Sequence, residues 1–514
     1  MIMATFVGFK PRTIGAVPRR DHQGRSRLPL GWLMVAALGC GLLLAPISAL
    51  AQDTAGAAPS GLAAVAAIEN ALVSAIAGAE KSVVAIARVK RERDDAELGM
   101  RVGPFGQLSQ IPTPPQPGDA NFIPNDFGAG VVVDRKGLIL THFHVVGEDS
   151  DLYVTTSARR VYKARIKAAD ARCDLAVLSI EANDLTPIKF GDASGLKKGQ
   201  IVIALGNPYA IARDGQASAS WGIVSNIARK GPPAPVEDLA PGGQSTLHQF
   251  GTLIQTDAKL NLGASGGALI DLKGEMVGLL TATAAFAGYE QSAGYAVPVD
   301  ETFRRVIETL KQGREVEFGF LGIHPVNLRS QDILAGKHGI RVDTVVAGTP
   351  AQRYGLEAMD IITHVNGQPI YDADGLMLQV GKSPVDAEVK LTIKRDEKSF
   401  VRSVVLTKFP YTTKKIVTTP APAWRGMRVD YAVVADRARA PASFRNDVLV
   451  KEVESDSAAW TAGLRPSMHI KQVGDAVVTN PKQFHAAVAG KSGAVTLVVS
   501  DGADVRTVTV AGVE

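Results

Sequence analysis

Gly263-Ala264-Ser265-Gly266-Gly267 sets a serine inside a run of small residues, just after the apolar, strand-like segment Thr252-Leu253-Ile254-Gln255. A nucleophilic hydroxyl needs such a turn for two reasons. A substrate carbonyl must approach the backbone closely, which side chains would prevent, and neighbouring N–H groups must point at the developing oxyanion. Small-residue turns are common, so the pentapeptide alone decides nothing. Upstream, however, lie Thr141-His142-Phe143-His144-Val145-Val146 and Cys173-Asp174-Leu175-Ala176-Val177-Leu178. The chain therefore holds a base, an orienting carboxylate and a nucleophile in the order His, Asp, Ser.

That order belongs to the double β-barrel, chymotrypsin-like arrangement among the unrelated folds that carry this geometry. Thr-x-x-His-Val-Val, Asp-Leu-Ala-Val-Leu, Gly206-Asn207-Pro208, Gln255-Thr256-Asp257-Ala258 and Gly-x-Ser-Gly-Gly together resemble the HtrA (high-temperature-requirement) family of serine proteases. The resemblance runs from about Val83 to the C-terminus. It implies a mainly β chain: a double six-stranded β-barrel over residues 81–315, followed by two PDZ-like α+β domains at 316–411 and 424–514.

The formal charge of +5 is a matter of location. Six of the 56 basic residues and one of the 51 acidic residues fall within the first 51 positions, leaving 50 of each in the remainder. A balanced body has no basic footprint for nucleic acid. The basic start leads into an apolar stretch from Leu28 to Leu50 that ends Ala49-Leu50-Ala51. This pattern predicts a secretory signal peptide over residues 1–51, cut after Ala51, and hence a periplasmic or cell-envelope protein. The alternative is an uncleaved inner-membrane anchor, since Leu30 to Leu50 is nearly long enough to span a bilayer. Cleavage leaves Cys173 as the single cysteine, so the fold must be held by its cores rather than by a disulfide.

Residues 52–62 read as an Ala/Gly/Ser-rich linker, and 63–80 show helical apolar spacing at Ala64, Val65, Ile68, Leu72 and Ile76. Ser82 to Val89 reads as a first strand. The Gly- and Pro-rich stretch 93–126 is expected to be a long loop without elements of its own. Two hairpins follow, Val131–Leu140 leading into His144 and Leu269–Leu279 just after Ser265, and short strands with regular turns indicate barrels rather than βαβ units. A second Pro/Gly-rich insertion runs from Gly231 to Gly243, and 299–313 reads as an amphipathic helix.

Beyond it lies a repeat. Ala351-Gln352-Arg353-Tyr354-Gly355-Leu356 returns 108 residues later as Ala459-Trp460-Thr461-Ala462-Gly463-Leu464. Each copy opens on an aromatic and a glycine, Phe320-Leu321-Gly322-Ile323 and Trp424-Arg425-Gly426-Met427, and both resemble PDZ domains, with a Thr/Lys/Pro-rich joint at about 411–423 between them. Such domains add a peptide C-terminus as an extra strand and receive its carboxylate in the glycine-containing loop. In the first copy that role falls to Phe320, Leu321, Gly322 and Ile323.

His142 and His144 lie two apart on a strand-like segment, so both are expected on one side and periodicity does not choose between them. The family pattern selects His144 as base, Asp174 as its orienting carboxylate and Ser265 as nucleophile, with the N–H groups of Gly263 and Ser265 forming the oxyanion hole. His142 falls where the family usually has Asn and reads as a polar supporting residue. Ala264 stands for the usual Asn and Leu262 for a common Pro; neither change removes a reacting group. By resemblance the primary pocket is lined by Lys259–Leu262 and by residues 280–284, and the absence of an acidic residue in either suits small or medium aliphatic side chains. No cofactor or metal is implied.

The resemblance implies an exported, ATP-independent serine endopeptidase acting on unfolded or damaged envelope proteins. Its partners would be unfolded polypeptides and protein C-termini, with assembly as a homo-oligomer, a trimer or multiples of it. The alternatives are a proteolytically silent chaperone or PDZ scaffold, and a membrane-anchored regulatory protease.

Overall fold

Short antiparallel strands, most of them buried along nearly their whole length, close into a barrel twice. The computed structural model describes residues 61–90, 100–102, 108–110, 124, 126–147, 150–207, 215–230, 250–281, 294–396, 398–410, 415–432, 447–502 and 504–512. The expected signal peptide and the Gly231–Gly243 insertion lie outside them. The first barrel comprises β1 (Val83–Lys90), β2 (Asp126–Val132), β3 (Leu138–Thr141), β4 (Ser150–Thr155), β5 (Val161–Asp170) and β6 (Leu175–Ile180). Its order is β5-β4-β1-β2-β3-β6, closed by antiparallel pairing of β5 with β6. The second comprises β7 (Ile201–Gly206), β8 (Ser218–Arg229), β9 (Leu253–Thr256), β10 (Ala268–Ile270), β11 (Met276–Thr281) and β12 (Gly294–Pro298), closed in the order β8-β9-β12-β11-β10-β7.

Each barrel has its own apolar filling, Ile86, Ile139, Val154 and Leu178 in one, Val202, Val224, Ile254 and Leu269 in the other. A further cluster draws Leu140 and Leu175 together with Leu205 and Leu279, and docks Phe303, Val306, Ile307 and Leu310 of a helix at Glu301–Lys311. That helix starts where Asp300 caps the Phe303 N–H at 2.8 Å. Truncating Leu205 or Leu279 to Ala would cost about 2–5 kcal/mol, because such sites collapse only partly.

One expectation is corrected, and two readings gain detail. The stretch 93–126 is not free of elements: Met100–Val102 pairs antiparallel with Leu108–Gln110, three residues a side, too short for periodicity to reveal. The N-terminal helix, Gly61–Ala79, does not bury its whole apolar stripe: Val65 and Ile68 are exposed, whereas Leu72, Ala75, Ile76 and Ala79 pack on the barrels. By length and composition alone, Gly61–Ser82 could cross a bilayer. The joint near 411–423 is more than a spacer. Lys415–Val417 adds a seventh strand to the first barrel, pairing with Asp170, Ala169 and Ala168 of β5.

The repeat folds as two PDZ-like sheets of the same topology. The first orders Ile323–Asn327, Ile340–Val345, Ile361–Val365, Glu388–Arg395 and Lys398–Val405, with the helix Ala373–Lys382 against it. The second orders Met427–Tyr431, Val448–Val453, His469–Val473, Val495–Asp501 and Asp504–Val510, with the helix Pro481–Val488. The equivalence reaches single atoms. Gly322 has φ +90°, and a Cβ there would lie 2.1 Å from Thr349; at Gly426, φ is +82° and a Cβ would lie 2.1 Å from Ser457.

Candidate active site

The seam between the barrels brings together the turns that carry His142, His144, Asp174 and Ser265. Strand β3 ends at Thr141, and the chain turns into a one-turn helix, Phe143–Val146, with His142 at its N-cap. His142 and His144 are thus not on one strand as expected. The turn is held by the Phe143 N–H donating to the Asp174 carbonyl at 3.1 Å. The two rings nonetheless lie side by side, centroids 5.0 Å apart and planes 19° from parallel.

Asp174 occupies the left-handed region, φ +50°, at the close of a tight turn, a conformation that Asp tolerates better than most residues. Its carboxylate accepts from the His144 N–H at 3.0 Å and meets His144 Nδ1 at 2.7 Å. Just upstream, the buried Asp170 carboxylate accepts from the backbone N–H and Nε of Arg172, both at 2.9 Å. Burial opposes ionisation of Asp174, but the neighbouring His144 and His142 outweigh it and hold the carboxyl well below the usual range. Cys173 is buried in the same turn, and burial pushes its thiol well up, which makes it unreactive.

His142 is fully buried. Its Nδ1 lies 2.8 Å from the Asp174 carbonyl and 3.2 Å from the Asp174 carboxylate, and its Nε2 lies 2.9 Å from the Leu280 carbonyl. Sequence reading missed this commitment, because one partner lies 138 residues away.

The second barrel contributes the serine turn. Ser265 is buried, 5% exposed, and its carbonyl accepts from the Ala129 N–H at 2.8 Å. The Gly266 N–H donates to Leu280 at 2.8 Å, and the Ala264 N–H to Asn261 at 3.0 Å. Gly266 must be glycine: φ is +85°, and a Cβ would lie 2.1 Å from the Ala129 carbonyl. Among the described residues, the Gly263 N–H donates to no acceptor. His144 Nε2 is buried and likewise has no partner among them, so no hydrogen bond joins it to Ser265. His144 and Asp174 are thus paired, while His144 and Ser265 are not bonded to each other.

His142, His144 and Asp174 cluster closely enough to suggest a metal set. The carbonyls facing both nitrogens of His142 argue otherwise, because each demands a proton where a metal would need a lone pair. Of the expected pocket wall, Lys259 is exposed, Thr281 is buried, and residues 282–284 lie outside the described residues.

Comparison with known proteins agrees with this architecture. Residues 128–279 match the trypsin-like peptidase domain and residues 319–404 the PDZ domain. A probable periplasmic serine endoprotease, DegP-like, from Marinomonas sp. is 31% identical over 74% of this chain and 76% of its own length. The periplasmic serine endoprotease DegP of Escherichia coli is 31% identical over 71% and 77%. The solved structure of the HtrA-type protease AlgW with decapeptide covers 66% of this chain and 99% of its own, at 24% identity and a TM-score of 0.49.

Proposed function

The chain belongs to the HtrA/DegP family of serine endoproteases, and from that premise we propose that it is an exported, ATP-independent quality-control protease of the cell envelope. Ser265 is the nucleophile, His144 the base and later the acid, and Asp174 the group that fixes the tautomer of His144 and stabilises its imidazolium. In the first step the Ser265 hydroxyl adds to the substrate carbonyl while His144 Nε2 takes its proton. That proton then passes to the departing amine, and water repeats the sequence on the acyl-enzyme. The N–H groups of Gly263 and Ser265 receive the oxyanion, each worth about 3–4 kcal/mol by the usual cost of removing such a donor.

The observation that carries this reading is the 2.7 Å contact of His144 Nδ1 with Asp174, beside a buried Nε2 left unbonded. A base oriented on one side and free on the other is equipped to receive a proton. The periplasmic naming of the relatives supports the location, and a wall at Lys259–Leu262 that holds no acid and leaves Lys259 exposed supports a preference for small or medium aliphatic side chains. Unfolded chains and exposed C-termini are the substrates, presented through the first PDZ sheet at Phe320, Leu321, Gly322 and Ile323, and assembly is as a homo-oligomer, a trimer or multiples. Wild type should cleave reduced casein with no ATP and in the presence of chelator, and should react with a fluorophosphonate probe that Ser265→Ala does not bind. Complete chelator sensitivity without serine labelling would overturn the assignment.

A further inference from the structure

We propose that His142 is held as an imidazolium and is a positioning residue for peptide hydrolysis, tying the Asp174 turn to the serine turn and setting a fixed positive charge beside His144. This rests on the reading of Ser265, His144 and Asp174 as the reacting groups.

The protonation follows from the partners. Both ring nitrogens face carbonyl oxygens, Asp174 at 2.8 Å and Leu280 at 2.9 Å, and a carbonyl oxygen can only accept. Each nitrogen must therefore carry a hydrogen, and a ring with two N–H groups is a cation. Either neutral tautomer would press a nitrogen lone pair against an oxygen lone pair in a site without solvent. A buried cation needs a counter-charge, and the Asp174 carboxylate stands 3.2 Å from Nδ1. Burial lowers the affinity of His142 for its proton, but Asp174 and the two carbonyls raise it further, so the net direction is upward.

The positioning follows from shared acceptors. The Leu280 carbonyl takes both His142 Nε2–H and the Gly266 N–H, the latter from the residue beside the nucleophile. The Asp174 carbonyl takes both His142 Nδ1–H and the Phe143 N–H, the latter from the residue before the base. One ring thus links the carboxylate turn of the first barrel to the serine turn of the second. Asn, which the family pattern has here, brings neither a charge nor two opposed N–H donors on one rigid plane.

The charge stands beside the base. The two rings lie 5.0 Å apart, and both nitrogens nearest Asp174 share its single carboxylate. Behind Asp174 stand the Cys173 thiol and the Asp170–Arg172 pair, while among the described residues the second barrel answers His142 with the Leu280 carbonyl.

The decisive comparison is full-length wild type against His142→Asn, with kcat and KM on a fluorogenic peptide measured separately. The variant should lose about tenfold in kcat from the lost link, with KM within about twofold of wild type. In nitrogen-15 histidine spectra of the wild type, both nitrogens of one ring should stay protonated as pH rises past the ordinary histidine range, and this signal pair should vanish in the variant. An unchanged kcat in a variant with unaltered melting overturns the positioning role. A His142 ring with one bare nitrogen overturns the protonation, and that spectrum decides alone if the variant does not fold. Failure of the catalytic reading looks different: wild type would not label with fluorophosphonate, whatever the spectra show.

Discussion

Two of the places where charge is buried are built to opposite ends. At the barrel seam, His142, His144 and Asp174 lie together, and one atom, His144 Nε2, is left without a partner. Where the barrels meet the two PDZ-like sheets, Lys408 is nearly buried among Glu315 at 3.1 Å, Glu317 at 3.2 Å and Asp430 at 2.8 Å, and every one of these charges is answered. Lys415 reaches Glu315 from the linker strand, and Lys451 reaches Asp430 at 3.0 Å from the second sheet. A buried cluster that keeps one polar atom open is equipped for chemistry; one that closes on itself joins elements. The hub does that by linking the chain after the protease helix, the first sheet, the second sheet and the strand on β5.

The largest effect should come from breaking the seam. Ser265→Ala, His144→Ala and Asp174→Ala should each lower kcat/KM by about 10⁴-fold or more, and double substitutions should be hardly worse than single ones, because the groups act as a unit. Melting of Ser265→Ala should change by about 1 kcal/mol or less, the common size of a single-residue effect, so that the lost activity is not a lost fold. Independent, multiplicative losses in the double variants would contradict the unit.

The hub should behave in the opposite way. Lys408→Met removes the cation shared by three acids, leaving Glu315 with Lys415 and Asp430 with Lys451, and should cost up to about 3–5 kcal/mol, while casein cleavage per folded molecule changes by less than about twofold, since the partners of Lys408 are Glu315, Glu317 and Asp430 and not the reacting groups. Calorimetry alongside active-site titration separates the two quantities. A hub variant that melts normally but loses activity would erase the contrast.

Legibility in the sequence divides along the same line. The serine turn, the base and the carboxylate were readable because each is a local pattern whose chemistry requires particular residues at fixed spacing. The role of His142 was not, since its acceptors at Asp174 and Leu280 are supplied by the fold. The linker strand was hidden for a related reason. Lys415–Val417 is three residues of a Thr/Lys/Pro-rich joint, too short to show alternation, and its partner strand lies far earlier in the chain. Nothing local marks Lys408 either, because its burial is the work of three other segments.

A smaller effect sharpens the contrast through pH. Burial opposes ionisation of Glu315 and Asp430, but Lys408 with Lys415 or Lys451 outweighs it and holds both below their ordinary values of 4.5 and 3.8. Their stabilisation is therefore present above those ordinary values and is lost as pH falls through the lower native ones. In Lys408→Met, Glu315 and Asp430 lose the larger part of that support. The stability gap between wild type and Lys408→Met should narrow as pH falls below about 4.5, the ordinary value of Glu315. A constant gap would show that the acids do not depend on Lys408.

The smallest effect concerns the contact between the first sheet and the barrels. Ile323–Asn327 is an edge strand whose outer side pairs with no described strand, beside the helix Ala373–Lys382. That helix is tied to the protease barrels and their helix at both ends: Asp374 pairs with Lys230, the Lys382 carbonyl accepts from Arg305 at 2.7 Å, and Lys382 Nζ meets Asp300 at 2.9 Å. The second sheet differs at its glycine loop. There Arg425 donates to the carbonyls of Val510 at 2.8 Å, Lys491 at 2.9 Å and Gly493 at 2.6 Å, so its guanidinium is committed to the fold rather than to a ligand. A peptide with an apolar C-terminal residue and a free carboxylate should therefore bind the first copy, at about −8 kcal/mol, since a short strand must be ordered on binding. Its C-terminal amide should bind at least about tenfold more weakly, the loss expected for a charge-assisted contact. Binding can raise cleavage only if the peptide prefers the arrangement in which the groove helix supports the seam, so activation should be a few-fold at most and weaker in Lys230→Ala. Equal binding of acid and amide would remove carboxylate recognition. Binding of the acid with unchanged cleavage would leave the groove as a tether, and the seam would then be as independent of the sheets as its own closed contacts allow.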